Sequence, residues 1–68
     1  MKYAVVIEKS ETGYGAYVPD MPGCVALGET LSETERLIRE AIEFHLEGLR
    51  EDGVAIPMPM ALAHYIEV

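Results

Sequence analysis

Few side chains in this sequence are of types that do chemistry, and their spacing limits what they can do. Cys24 is the sole cysteine, His45 and His64 are the two histidines, and most of the carboxylates lie between Glu29 and Asp52. A metal held on a helix needs a second ligand three or four residues from a histidine. Gly48 and Leu49 stand at those places after His45, so His45 reads as a neutral imidazole packed against a sheet. His64 reads as an edge or surface residue rather than a general base. A lone cysteine excludes an intrachain disulfide and a cysteine-rich metal framework, and Cys24 reads as a small apolar filler. The chain has no Gly-x-Ser-x-Gly nucleophile setting, no glycine-rich phosphate loop and no paired-cysteine motif, each of which would announce a specific chemistry.

What remains is electrostatic. The net charge is −7, and the stretch from Glu33 to Asp52, with seven acids against three arginines, supplies more than half of it. Affinity for a phosphate backbone comes from Lys and Arg neutralising phosphates, so direct nucleic-acid binding by this chain is not expected. Glu47, Glu51 and Asp52 fall in or beside the last turns of a predicted helix, where the macrodipole disfavours anions by about 0.3 kcal/mol or more each. Local stability did not select them. Together with Glu43 they form the candidate partner-binding set, Glu43, Glu47, Glu51 and Asp52, complementary to a cationic protein; a merely solvated acidic face is the alternative.

The elements that must position these residues are legible from periodicity and turn chemistry. Tyr3 to Glu8 is apolar on both faces, the pattern of a central strand. Lys9 to Gly13 is a polar hairpin loop, and Tyr14 to Pro19 returns antiparallel with period-two alternation. Pro19, Asp20, Pro22, Gly23 and Cys24 then build a stiff structural corner, because two prolines fix φ and remove donors while glycine admits positive φ. Cys24 to Leu27 is a third strand.

Thr30 opens a helix, with Glu33 three residues on to complete a capping box, and Ser32 with Glu35 offering the same pattern two residues later. The helix is expected to run to about Asp52, with Gly53 as its stop. Leu37, Ile38, Ala41, Ile42, Phe44 and Leu49 fall on one arc with His45, opposite Arg36, Arg39, Glu40, Glu43, Glu47 and Arg50. Gly48 in the helix interior suggests a close crossing over a strand. Ile56-Pro57-Met58-Pro59-Met60 is an extended spacer, and Ala61 to Val68 reads as a last strand with Leu62, Ile66 and Val68 on one face and Tyr65 on the other.

The expected fold is α+β with topology βββαβ. A right-handed crossover places the last strand beside the first, giving a four-stranded mixed sheet of order 3-2-1-4 with one helix on one face. Sixty-eight residues make one domain, and a domain of that size buries only about 60% of its unfolded surface. With half of its residues apolar, an uncovered sheet face and two free edges, a homo-oligomer of two or more chains is expected. The apolar run at the N-terminus is too short for a signal peptide or a membrane span, so a cytoplasmic location without membrane partners is expected.

The residues of the corner carry a resemblance. Tyr3, Tyr14 and Ala16, the run Pro19-Asp20-Met21-Pro22-Gly23-Cys24, Gly28, Thr30 and Glu33, Glu40-Ala41, Gly53, Ile56-Pro57 and Pro59 together resemble the HicB-like antitoxin family over nearly the whole chain. The resemblance implies an antitoxin of a type II toxin–antitoxin system: a small domain, similar to an incomplete ribonuclease H-like fold, that binds and silences a small basic mRNA-cleaving toxin of the HicA type. Longer members of that family carry a C-terminal DNA-binding segment; residues 1–68 read as a single HicB-like domain with no room for one, which argues against autorepression by direct DNA binding.

A ribonuclease H-like fold raises the question of two-metal catalysis, which needs acids on the central strand and the helix. Here Glu8 stands at the far end of the first strand, Glu40 is on the polar side of the helix and Glu67 is near the C-terminus. No enzyme, metal or cofactor is therefore expected. The alternative to an antitoxin is an orphan homo-oligomeric binding or structural module without a cognate toxin.

Overall fold

The computed structural model describes all residues from Met1 to Val68. Three strands are followed by one helix: β1 (Val6–Lys9), β2 (Tyr14–Tyr17), β3 (Val25–Gly28) and α1 (Leu31–Glu51). The strands form an antiparallel meander of order β1-β2-β3, with Ile7 opposite Ala16 and Ala16 opposite Ala26. That row faces the helix, because alternate residues of a strand share a face. The opposite row, Val6, Tyr17 and Val25, together with Leu27, is turned outward; Val25 and Leu27 are exposed.

The corner between β2 and β3 is closed by three backbone bonds. The Met21 amide donates to the Val18 carbonyl, the Cys24 amide to Met21, and the Val18 amide to Cys24, at 3.0 to 3.2 Å. Gly23 has φ +85°, a value that an L side chain rarely adopts. This geometry turns Met21 inward until it is 1% exposed, and it forms the core with Ala16, Val18, Cys24 and Ile38.

Thr30 caps α1: its Oγ1 accepts the Glu33 amide at 3.1 Å. The Glu33 carboxylate reaches back to the Glu29 amide at 2.8 Å, one residue before the cap, so the reciprocal half of the box lands on Glu29. At the far end the Gly53 and Val54 amides donate to Arg50 and Leu49 carbonyls, a reversal that satisfies the last turn. The helix buries Thr34 and Ile38, and packs Ala41, Ile42 and Leu46 against the core. Phe44, expected on that buried arc, is 69% exposed. Gly48 does not mark a close crossing: nothing lies within 4 Å of where its Cβ would stand.

Two parts of the expected architecture are corrected. The sheet has three antiparallel strands, not four in the mixed order 3-2-1-4, and the topology is βββα rather than βββαβ, so the incomplete ribonuclease H-like arrangement is not formed within this chain. β1, read as a central strand, lies at an edge. Residues 61–68 form no strand because the chain that leads to them is anchored elsewhere. The Tyr3 hydroxyl donates to the Pro57 carbonyl at 2.6 Å, and Asp20 Oδ2 accepts the amides of both Met60 and Ala61 at 3.1 Å. Amides engaged by a carboxylate cannot open a β ladder, and Pro57 and Pro59 have none to offer.

Candidate partner-binding surface

Three of the four sequence-selected acids lie along the second half of α1. Glu43, Glu47 and Glu51 follow at four-residue intervals, which on a helix makes a ridge, and all three are exposed. The ridge is diametrically opposite Thr34 and Ile38, so it points away from the sheet. The single ion pair of the chain joins Arg36 and Glu40 at 3.2 Å, one turn earlier. Glu43, Glu47 and Glu51 therefore carry uncompensated charge, and like charges at i, i+4 oppose the helix by about 0.2–0.5 kcal/mol per pair.

Asp52, the C-cap residue, is not on that ridge. It lies at the mouth of a shallow groove of about 440 Å³ between β3 and the second half of α1, lined also by Val25, Phe44, His45 and Leu49. The structure brings Asp52 together with an exposed aromatic ring and a half-buried imidazole, and leaves the other three acids on the adjoining flank. Glu43 borders a second, larger groove of about 710 Å³ between β1 and α1. The arrangement is an acidic helix flank beside two apolar depressions. No three of the His, Cys, Asp and Glu side chains converge as metal ligands would, and the helix is not long and apolar enough to cross a membrane.

The corner residues take different places. Pro19, Pro22 and Gly23 are exposed, Cys24 is buried, and Asp20 spans the distance to the C-terminal segment. Burial pushes the Cys24 thiol above its ordinary pKa of 9.0 by desolvating the thiolate, so it is an inert core group. Three roles were not read from the sequence: the inward turn of Met21, the outward turn of Phe44, and the anchoring of Met60 and Ala61 by Asp20. For Met21 a signal existed, an apolar side chain between two residues that hold the backbone rigid.

Comparisons with known proteins agree with this architecture. Residues 3–68 match the model of the family described as HicB_like antitoxin of bacterial toxin-antitoxin system. An uncharacterized 14.9 kDa protein of Haemophilus phage HP1 is 46% identical over 66 residues, covering 97% of this chain but only 50% of the phage protein, so the chain spans half the length of that relative. A UPF0150 protein of Helicobacter pylori is 50% identical over 50 residues, 74% of this chain and 69% of that one. Among solved structures, a chain of the HicA3 and HicB3 toxin-antitoxin complex superposes with a TM-score of 0.72 at 33% identity, over 84% of this chain and 66% of the other. With a family match over nearly its full length and a shared fold at that identity, the chain belongs to the HicB-like antitoxin family.

Proposed function

We propose that this chain is the antitoxin of a small, basic, mRNA-cleaving toxin of the HicA type, and that it works by covering the toxin's RNA-binding surface. The observation that carries this reading is the unpaired ridge of Glu43, Glu47 and Glu51 with Asp52 beside it, exposed on one half of α1. A surface that binds RNA is cationic, and an acidic ridge flanked by apolar depressions offers it both charge complementarity and a place for side chains to be buried. The likeness to a chain from a complex of toxin and antitoxin supports the same partner class. The mechanism is steric and electrostatic, so the chain catalyses nothing itself, makes no direct contact with nucleic acid, and acts in the cytoplasm where the toxin's mRNA is.

The test is to isolate the tagged chain from its own cells at low salt, identify a stoichiometric small basic protein by mass, and measure that protein's RNA cleavage with and without the chain. Inhibition at equimolar ratio is expected, with association that slows steeply as ionic strength rises. Replacing Glu43, Glu47 and Glu51 by Gln and Asp52 by Asn should slow association about tenfold. If the quadruple variant binds with unchanged rate and unchanged salt dependence, the ridge is not the interface. If the co-purified protein cleaves RNA equally well in the presence of the chain, the antitoxin reading is wrong.

A further inference from the structure

Phe44 and Gly48 on α1 and the C-cap Asp52 follow at four-residue intervals, so they stand one turn apart on a single row. The row borders the groove of about 440 Å³ between α1 and β3. Phe44 offers an exposed ring and Asp52 an exposed carboxylate. Between them is a gap: nothing of this chain lies within 4 Å of where a Gly48 Cβ would stand. A glycine in a helix interior weakens the helix relative to alanine, and here no contact within the chain requires it. The facing wall is the corner and the start of β3, where the apolar Val25 is 62% exposed on an edge strand paired with β2 alone.

Charge separates this groove from the one between β1 and α1. That groove carries Arg36 and Arg39 beside Glu35 and Glu43, a balanced wall. The β3–α1 groove has Asp52 and no Lys or Arg in its lining, and Glu47 and Glu51 of the exposed ridge adjoin Gly48 and Asp52 in sequence. A cation that approaches Asp52 therefore meets attraction without a competing positive charge in the groove.

We propose that the β3–α1 groove takes a two-point anchor from the basic partner: an apolar side chain seated in the Gly48 gap against Phe44 and Val25, and a Lys or Arg about 6 Å further along that pairs with Asp52. That spacing is the rise from residue i to i+4 of a helix and is close to that from i to i+2 of a strand, so either kind of segment supplies the pair. A basic partner exists only on the antitoxin reading, on which this assignment rests; what is added is the groove that receives it and the two side chains that it must present. Buried apolar anchors govern how long a complex lasts, whereas exposed charge governs how fast it forms. The groove and the ridge are thus separable in kinetics.

The probe is the small basic protein retained by the tagged chain at low salt, with its association and dissociation rates measured against purified variants. Gly48→Leu fills the gap with a good helix former in open space, so its thermal midpoint should not fall. Its complex should dissociate about tenfold faster or more, with association nearly unchanged. Phe44→Ala removes a ring that is 69% exposed in the free chain, so the fold should hold while dissociation again quickens. Arg39→Leu, on the wall of the other groove, should leave dissociation as it was. Parent-like dissociation of either Gly48→Leu or Phe44→Ala overturns the proposal, and faster dissociation of Arg39→Leu alone would move the partner to the β1–α1 groove. The antitoxin reading fails separately: a partner that binds through the β3–α1 groove, but whose RNA cleavage the chain does not inhibit, sinks that reading and leaves the groove standing. If no small basic protein is retained, both fall.

Discussion

Asp20 and Met60, forty residues apart in sequence, are joined by a hydrogen bond of 3.1 Å in which the carboxylate oxygen Oδ2 accepts the Met60 backbone amide, and the same oxygen accepts Ala61 at 3.1 Å. The acid between the two prolines of the corner thus fastens the segment that follows the helix. Asp20→Ala should cost about 1–2 kcal/mol, the range for bonds to a charged acceptor at a partly exposed site. Hydrogen exchange at the Met60 and Ala61 amides is the sharper measurement: protection there should be lost while that of the β2 amides is kept. Unchanged protection would mean that another group holds the segment.

Gly28 and Gly48 should respond to alanine in opposite directions. A Cβ on Gly28 would meet the Thr34 hydroxyl and lie 3.0 Å from the Thr34 amide nitrogen, and Thr34 is fully buried with its hydroxyl donating to the Thr30 carbonyl at 2.8 Å. Gly28→Ala should therefore destabilise by about 1–3 kcal/mol. Gly48 is inside α1 with open space where its Cβ would be, so Gly48→Ala should stabilise by about 0.5–1 kcal/mol. Thermal unfolding of the two variants side by side checks both signs, at about 4–8 °C per kcal/mol for a domain of this size.

Removing the Thr30 hydroxyl releases the Glu33 amide at the start of α1. Thr30→Ala should lower stability by about 1 kcal/mol, and Thr30→Ser, which keeps the acceptor, should leave it nearly unchanged. Denaturant midpoints with equal slopes would separate a lost cap from an altered unfolded state. Equal midpoints for the two variants would show that the hydroxyl contributes nothing.

The buried Cys24 thiol makes stability fall at high pH. Its folded-state pKa is raised above 9.0 by desolvation, so above the unfolded value the unfolded chain holds fewer protons than the native one. Stability from this group is fully present below about pH 9 and is lost as pH rises through the folded pKa. Cys24→Ala should flatten that alkaline fall while itself lowering stability at neutral pH through the vacated space. Thiol labelling in the native state should be slow at pH 8 and track unfolding. Rapid labelling of folded protein at that pH would place the thiol at the surface.

Much of the architecture was readable in local chemistry. The three strands, the corner at Pro19 to Cys24, the Thr30 cap and the helix end at Gly53 each depend on residues near one another in sequence, where φ restriction, capping and period-two or 3.6 alternation act directly. The family resemblance was legible for the same reason, since the corner motif is local. Long-range competition was not. Whether Ala61 to Val68 becomes a strand depends on which group captures the Met60 and Ala61 amides, and nothing in the alternation of Leu62, Ile66 and Val68 announces that Asp20 takes them. The outward turn of Phe44 was settled by where α1 crosses the sheet, over β2 and β3 and clear of β1. Local chemistry specified the first three strands, the helix, the order of those four elements and the acidity of the helix flank, but not the fate of residues 61–68. Only the tertiary structure decided which edge stays open and which residues remain unburied, because burial is a contest among all segments for one small core.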